Sequence, residues 1–147
     1  MYNDTITIFN RRTAGGETLW YPTVIEGVQL SVERAQAAAG YGWKQSGQTV
    51  ALVPYVPMEG TMTVGGKVYL PPKMWQRVDE PELYVTFAGG EDFDFFLPGP
   101  WPEEGPFADG MWPGGFYEHL CRTRDEVFAI ESTHRYGALP HFEILGR

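Results

Sequence analysis

Four side chains in the last third of the chain have the chemistry of metal ligands or of a nucleophile with its base: His119, Cys121, His134 and His141. Zinc sites usually combine two closely spaced ligand pairs, and this sequence offers no second pair. If 116–124 is helical, residues two apart point about 200° from each other and cannot share a ligand. We therefore predict no metal site and no nucleophile, and we interpret Cys121 as a small buried apolar group.

Three carboxylates in the run GGEDFDFF (89–96) could bind calcium or act in acid–base chemistry: Glu91, Asp92 and Asp94. Strand alternation places Asp92 and Asp94 on one face and Phe93 and Phe95 on the other. The sequence also lacks the aspartate-rich loop and terminal glutamate of a calcium site. The pattern predicts a strand with a solvated face and a core face.

Two arginines, Arg11 and Arg12, precede Gly15 and Gly16 and suggest an anion site. The glycines lead into no helix, however, and the Lys-Ser/Thr of a phosphate loop is missing. We interpret the segment as the tip of a hairpin.

The five tryptophans could stack on a sugar: Trp20, Trp43, Trp75, Trp101 and Trp112. Core packing and protein interfaces are more common uses of this side chain, and we expect Trp101 and Trp112 to be the exposed members.

The composition fits one domain of 147 residues with a single cysteine and a net charge of −8. Scattered basic residues argue against tight binding of nucleic acid, and the short apolar runs predict a soluble chain with no export signal and no membrane span. The 18 glycines, 12 prolines and 15% aromatic content favour short strands joined by turns.

Alternating apolar residues predict strands through most of the chain, at 4–10, 18–33, 49–56, 61–70, 82–97, 126–132 and 140–146. The glycine pairs at 65–66 and 89–90 indicate two successive hairpins. Short helical segments are expected at 33–39, within 71–81 and at 116–124. We predict an all-β, mainly antiparallel barrel with one or two short helices. Its common core is expected to include Ile6, Ile8, Leu30, Val85, Phe87, Ile130 and Phe142.

The segment 98–115 is the most unusual part of the chain, with five prolines and five glycines. We predict a long irregular loop that is mobile in the isolated protein, because regular structure is improbable in such a run. It carries large apolar residues that a solvated linker does not need. We expect four of them to contact a partner: Trp101, Phe107, Met111 and Trp112. Of these, Trp101, Phe107 and Trp112 are expected to move from water into the partner surface on docking.

Several segments are similar to structural proteins of tailed phages. The opening DTITIFNRR and LWYPTVIEGVQLSVER, and the closing EVFAIESTHRYGALPHFEILGR, resemble the ends of small head–tail joining proteins. The middle segments GGKVYLPPKMW and YVTFAGGEDFDFF resemble uncharacterised minor structural proteins of phages and prophages of Gram-positive bacteria. The segment 98–115 departs from the joining proteins in its length and in its proline and tryptophan content.

The resemblance implies a small antiparallel β-barrel without an active site or cofactor. It implies a ring of identical subunits at the portal exit of the virion, acting as a head-closure (stopper) or neck component. Its partners would be other neck, portal or tail proteins, and it would be made in the cytoplasm of the bacterial host. A negative chain is compatible with a ring through which DNA slides, because it repels phosphates.

Two other classes of function remain open from the sequence. A carbohydrate- or peptide-binding β-module would need a concave face lined by Trp20, Trp75 or Trp101. A β-barrel enzyme would need His119 and His141 to converge with the Asp92/Asp94 pair. We expect no enzyme, because the predicted elements do not bring those groups together.

Overall fold

The computed structural model describes residues 2–33 and 48–147. The strands of that part of the chain are β1 (Asp4–Ala14), β2 (Glu17–Glu33), β3 (Gln48–Pro54), β4 (Val56–Met58), β5 (Thr61–Val64), β6 (Lys67–Tyr69), β7 (Tyr84–Val85), β8 (Phe95–Pro98), β9 (Phe107–Ala108), β10 (Phe128–Tyr136) and β11 (His141–Gly146). Its α-helices are α1 (Pro72–Trp75) and α2 (Phe116–Thr123). Of the helix expected at 33–39, residue 33 ends β2, and residues 34–39 lie outside the described residues.

The two longest strands form an antiparallel hairpin. Gly15 and Gly16 make its turn with φ of 61° and 78°, values that favour glycine, so the predicted hairpin tip is confirmed. Gly27, with φ of 73°, coincides with a shift in the pairing register of β1 and β2. β2 continues through this shift as one strand of 17 residues.

Six strands close into a barrel in the order β1, β8, β10, β11, β3, β2 and back to β1. All of these pairings are antiparallel, so the predicted all-β barrel is confirmed. β9 pairs with β2 outside the closed ring of strands. Closure satisfies the hydrogen-bonding edges that an open sheet would leave exposed.

A second sheet, β4-β5-β6-β7, packs on the barrel. The hairpin at Gly65–Gly66 is confirmed as the turn between β5 and β6. The hairpin expected at Gly89–Gly90 is wrong: β7 pairs in parallel with β6, whereas β8 joins the barrel. Gly89 instead allows a close crossing, since a Cβ there would lie 2.6 Å from the carbonyl oxygen of Glu131.

The main core fills the barrel and continues into the second sheet. Six of the seven predicted core residues are buried in it, and Leu30 packs against it half-buried. Val64, Val85 and Phe87 come from the second sheet or the chain just after it and join the same core. Side chains from a neighbouring sheet can reach the interior of a closed barrel only at its open ends. The second sheet therefore covers one end of the barrel.

A second core lies outside the barrel wall. Phe9, Phe95 and Leu97 point outward from β1 and β8, yet their exposure is at most 1%. Phe116 and Leu120 of α2 cover them. Both faces of β1 are therefore buried, because the chain after β8 folds back over its outer face. No helix among the described residues is both long and apolar enough to cross a membrane.

Candidate functional site

The segment 98–115 folds back on the barrel instead of forming one irregular loop. Its first residue ends β8, residues Phe107–Ala108 form β9 against β2, and a 3-10 turn follows at Asp109–Met111. Gly105 passes closely over β2, where a Cβ would lie 2.5 Å from Cδ of Pro22. The segment thus has backbone pairing and tight packing of its own, because β2 extends beyond the barrel and offers an edge.

Three of the four predicted contact residues take part in the second core. The Trp112 and Phe107 rings lie 4.5 Å and 5.4 Å from that of Phe116, and Trp101 meets Phe9 edge-on at 5.3 Å. All three are partly buried. The expectation that these rings stand in water before docking is wrong, since the outward phenylalanines of β1 and β8 provide an apolar surface for them. Their contact with a partner stays a prediction.

The fourth residue, Met111, is presented to solvent. Its exposure is 72%, and it ends the 3-10 turn between Phe107 and Trp112. Its two neighbours in the second core position its backbone, while its side chain stays accessible and suits an apolar contact with another protein.

Asp109 fixes this arrangement. One of its carboxylate oxygens, Oδ1, accepts hydrogen bonds of 2.9 Å from Nε1 of Trp20 and from the backbone N–H of Phe116, the first residue of α2. The carboxylate thereby joins β2 to the start of the helix, where negative charge is favourable. Gly115 allows the approach: its φ is 100°, and a Cβ would lie 3.1 Å from the same oxygen.

We expect Asp109→Ala to lower the free energy of unfolding by about 1–3 kcal/mol, because two partly buried donors lose their acceptor. Urea unfolding of the parent and the variant measures this. Asp92→Ala, which removes an exposed aspartate, is the control and is expected to change stability by less than about 0.5 kcal/mol. An Asp109 variant as stable as the parent would contradict the anchoring role.

Asp92 and Asp94, which were predicted to share a solvated face, differ in their exposure to solvent. Asp92 is 91% exposed at its side chain and pairs with the Arg11 guanidinium at 2.6 Å. Asp94 is only 1% exposed. The solvated-face prediction is wrong for Asp94, because the crossing at Gly89 brings residues 86–88 over this position.

The Asp94 carboxylate accepts three hydrogen bonds. Oδ1 accepts from the Arg11 backbone N–H at 2.8 Å, while Oδ2 accepts from Nδ2 of Asn10 at 2.8 Å and from the Ala88 backbone N–H at 2.9 Å. Burial raises the pKa of Asp94 to about 7 although these donors favour the charged form. The group is a structural junction that the sequence did not reveal, because its alternation matches that of an exposed residue.

The candidate metal and nucleophile residues stay apart. His119 lies near the Trp112 ring, whereas His141 stacks on Tyr136 with ring centroids 4.9 Å apart. The interpretation of Cys121 as buried is wrong, since it is exposed on α2. Desolvation raises the pKa of its thiol. The described residues contain no cluster of three His, Cys, Asp or Glu side chains that could hold a metal ion.

The tryptophans expected to line a sugar-binding face are mostly structural. Trp20 and Trp75 are 3% and 0% exposed. Trp101 lines a groove of 570 Å³ together with Tyr21, Lys67 and the carboxylates of Glu82, Glu103 and Glu104. Arg124 lies over the same indole at 4.9 Å. Trp43 lies outside the described residues.

These features define an antiparallel β-barrel that is covered at one end by a small sheet and on its outer wall by an aromatic core. The chain belongs to a family of unknown function, DUF6751, whose model matches residues 1–147. No curated protein and no solved structure matches the chain.

Proposed function

We propose that this protein is a virion structural component of a tailed phage, placed at the head–tail interface as a head-closure or neck protein. The observation that carries the proposal is the closed antiparallel barrel, which is the fold that the resemblance to head–tail joining proteins implies. The resembling end segments supply β1, β2, β10 and β11, four of the six barrel strands. The similarity therefore falls on residues that build the barrel wall.

The outer surface suits a protein that works through contacts. The second core packs Phe107 and Trp112 on either side of Met111, so a partner would meet an apolar side chain on a backbone that packed neighbours position. A backbone that is already positioned loses less conformational entropy on binding than a mobile loop. The net charge of −8 is compatible with a ring that surrounds DNA without holding it.

A carbohydrate- or peptide-binding module has weaker support. Of its three tryptophans, Trp20 and Trp75 are buried, and Trp101 lines a groove that Glu82, Glu103 and Glu104 also line. Stacking on a sugar usually uses an open aromatic face, and here Phe9 and Arg124 contact the indole. The enzyme hypothesis has less support still, because its histidines and aspartates lie in separate environments. We keep the expectation that the protein is not an enzyme.

The proposal predicts that the protein is found in purified virions and that Met111→Asp reduces its recovery there at least tenfold, roughly the effect of losing an apolar anchor. Mass spectrometry of particles from a phage that carries the variant gene measures the recovery. The isolated variant is expected to unfold within about 0.5 kcal/mol of the parent, because the side chain is exposed.

Leu83→Asp is the matched control, since Leu83 is 55% exposed and precedes β7 on the small sheet. Its recovery in virions is expected to equal that of the parent. Absence of the parent protein from virions would overturn the proposed function. Normal recovery of the Met111 variant would overturn only the contact assigned to this residue.

A further inference from the structure

The groove of 570 Å³ beside Trp101 opens where three parts of the structure meet. Residues 21–24 of β2 form one wall, the turn between β5 and β6 together with Glu82 forms the second, and residues 101–105 form the third. We call it the acidic groove. Its lining residues are half-buried or exposed, apart from Thr23, so a ligand can reach them. Clefts between structural units are common places for binding.

The charges of the acidic groove are unbalanced. Glu82, Glu103 and Glu104 line it, and Lys67 is the one cation among the described residues that do so. Three carboxylates against one ammonium leave two negative charges unmatched. In the part of the chain that the structure describes, no ion pair joins any of these three carboxylates to a cation. The groove therefore attracts positive charge.

The Lys67 ammonium is held against the wall of the groove. Its Nζ donates hydrogen bonds to the Thr23 hydroxyl at 2.9 Å and to the carbonyl oxygen of Pro22 at 3.2 Å. These bonds use two of its three N–H donors. Burial lowers the pKa of Lys67, and the charges of Glu82 and Glu104 oppose that effect. Because the ammonium is fixed on β2, the carboxylates are left for a cation from outside the chain.

The spacing of the carboxylates suits a cation larger than a metal ion. No three acidic side chains of the described residues converge closely enough to hold a metal. A guanidinium group is planar, and its five N–H donors point in several directions, so it can meet carboxylates on different sides. It is also more weakly hydrated than an ammonium group, which lowers the cost of entering a half-buried groove.

The aromatic wall of the groove favours the same group. Guanidinium faces pack on aromatic rings, and this chain already contains such contacts. Arg124 lies over the Trp101 ring at 4.9 Å, and Arg12 lies over the Trp75 ring at 5.9 Å. Tyr21 lines the groove and is half-buried, so part of its ring is accessible for a further contact of this kind.

We propose that the acidic groove binds an arginine side chain of a partner protein. The guanidinium lies against the Tyr21 ring and pairs with Glu82 and Glu104, while Glu103 adds attraction at longer range. Recognition depends on charge, so it does not need the open aromatic face of a sugar-binding module. This inference concerns a different surface from Met111 and holds whether or not the protein is a phage component.

The test is an NMR titration of the purified full chain with the peptide acetyl-Gly-Arg-Gly amide at low ionic strength, where exposed charges are least screened. The matched peptide carries citrulline, which has nearly the shape of arginine but no charge. The arginine peptide is expected to bind at least about tenfold more tightly, the combined effect of several exposed ion pairs. Shifts of the Lys67 and Gly105 backbone signals are expected to saturate together. No binding, or equal binding of the two peptides, would overturn the proposal.

Substitutions at the rim separate the site from the general negative charge of the protein. Glu82→Gln and Glu104→Gln are each expected to weaken binding about threefold, and both variants are expected to fold because the side chains are exposed. Glu91→Gln is the matched control, since it removes an exposed carboxylate that does not line the groove. Equal weakening by all three substitutions would show a general charge effect and would overturn the site.

Two other cations test the assignment to arginine. Acetyl-Gly-Lys-Gly amide brings the same charge without the planar group and is expected to bind about threefold more weakly. Binding of the lysine peptide as tightly as the arginine peptide would overturn the assignment to a guanidinium. Ca²⁺ that displaces the arginine peptide and binds more tightly than it would overturn the assignment to a protein side chain, and failure of Ca²⁺ to compete supports it.

Discussion

The parent protein and its Asp94→Asn variant are expected to exchange their order of stability between about pH 4 and pH 8. Asp94 is buried, and its two oxygens accept from backbone N–H groups on opposite sides, those of Arg11 and Ala88. In either orientation, the asparagine amide nitrogen faces one of these donors. Below about pH 4 we therefore expect the variant to be less stable by about 1–3 kcal/mol, the cost of one buried donor without an acceptor.

The pH dependence follows from burial of the carboxyl group. Its pKa is raised to about 7 in the folded protein, whereas an aspartate in an unfolded chain titrates near pH 4, roughly the ordinary value. The folded state therefore keeps a proton that the unfolded state loses. This contribution to the parent's stability is complete below about pH 4 and is lost as the pH rises through about 7, about 4 kcal/mol in all.

Asparagine does not titrate, so the variant lacks this loss and becomes the more stable protein at about pH 8. Urea unfolding of both proteins at intervals of one pH unit measures the difference. Subtracting the two curves removes the titration of every other group that the substitution leaves unchanged. A difference that stays constant, or that widens in favour of the parent as the pH rises, would contradict a raised pKa at this position.

Phe142→Ala is expected to lower the free energy of unfolding by about 3–5 kcal/mol. Phe142 is 2% exposed, and its ring contacts Tyr55, Tyr69 and Phe87. It joins β11 of the barrel to the small sheet, so its removal leaves a cavity between two structural units. Denaturant unfolding followed by fluorescence and by circular dichroism measures the loss.

Two further variants distinguish packing from a general effect of substitution in this part of the chain. Phe142→Leu keeps most of the apolar volume and is expected to cost less than half as much. Leu139→Ala removes a side chain that is 78% exposed, three residues away, and is expected to stay within about 0.5 kcal/mol of the parent. Equal stability of Phe142→Ala and the parent would mean that this ring does not join the two units.

Local sequence patterns predicted an element correctly where the strands beside it in the fold are also its neighbours in the sequence. Ile6 and Ile8 alternate with polar residues and lie inside the barrel, and the spacing of Phe116 and Leu120 marks the buried face of α2. The glycine pairs at 15–16 and 65–66 form hairpin turns because each stands between strands that pair with each other. The pair at 89–90 has the same local pattern, but the strands on its two sides pair elsewhere.

The candidate site could be predicted only in part, because several of its contacts join residues that are far apart in the sequence. The segment 98–115 was recognised by its composition, and Met111 within it is exposed. Trp101, Phe107 and Trp112 were expected in water because nothing local offers them a partner. Their partners are Phe9, 92 residues before Trp101, and Phe116 on the following helix. Such a contact depends on which face of β1 the returning chain covers.

The sequence by itself determined that the chain is mainly β structure with short helices, and it identified the residues of the barrel core. These properties follow from the period of apolar residues and from glycine conformation, which act within a few positions of the chain. The tertiary structure alone decided that Asp94 is buried among three donors and that the chain after β8 covers the outer face of β1. Each of these depends on which strands become neighbours, and strands far apart in sequence pair through contacts that no local pattern encodes.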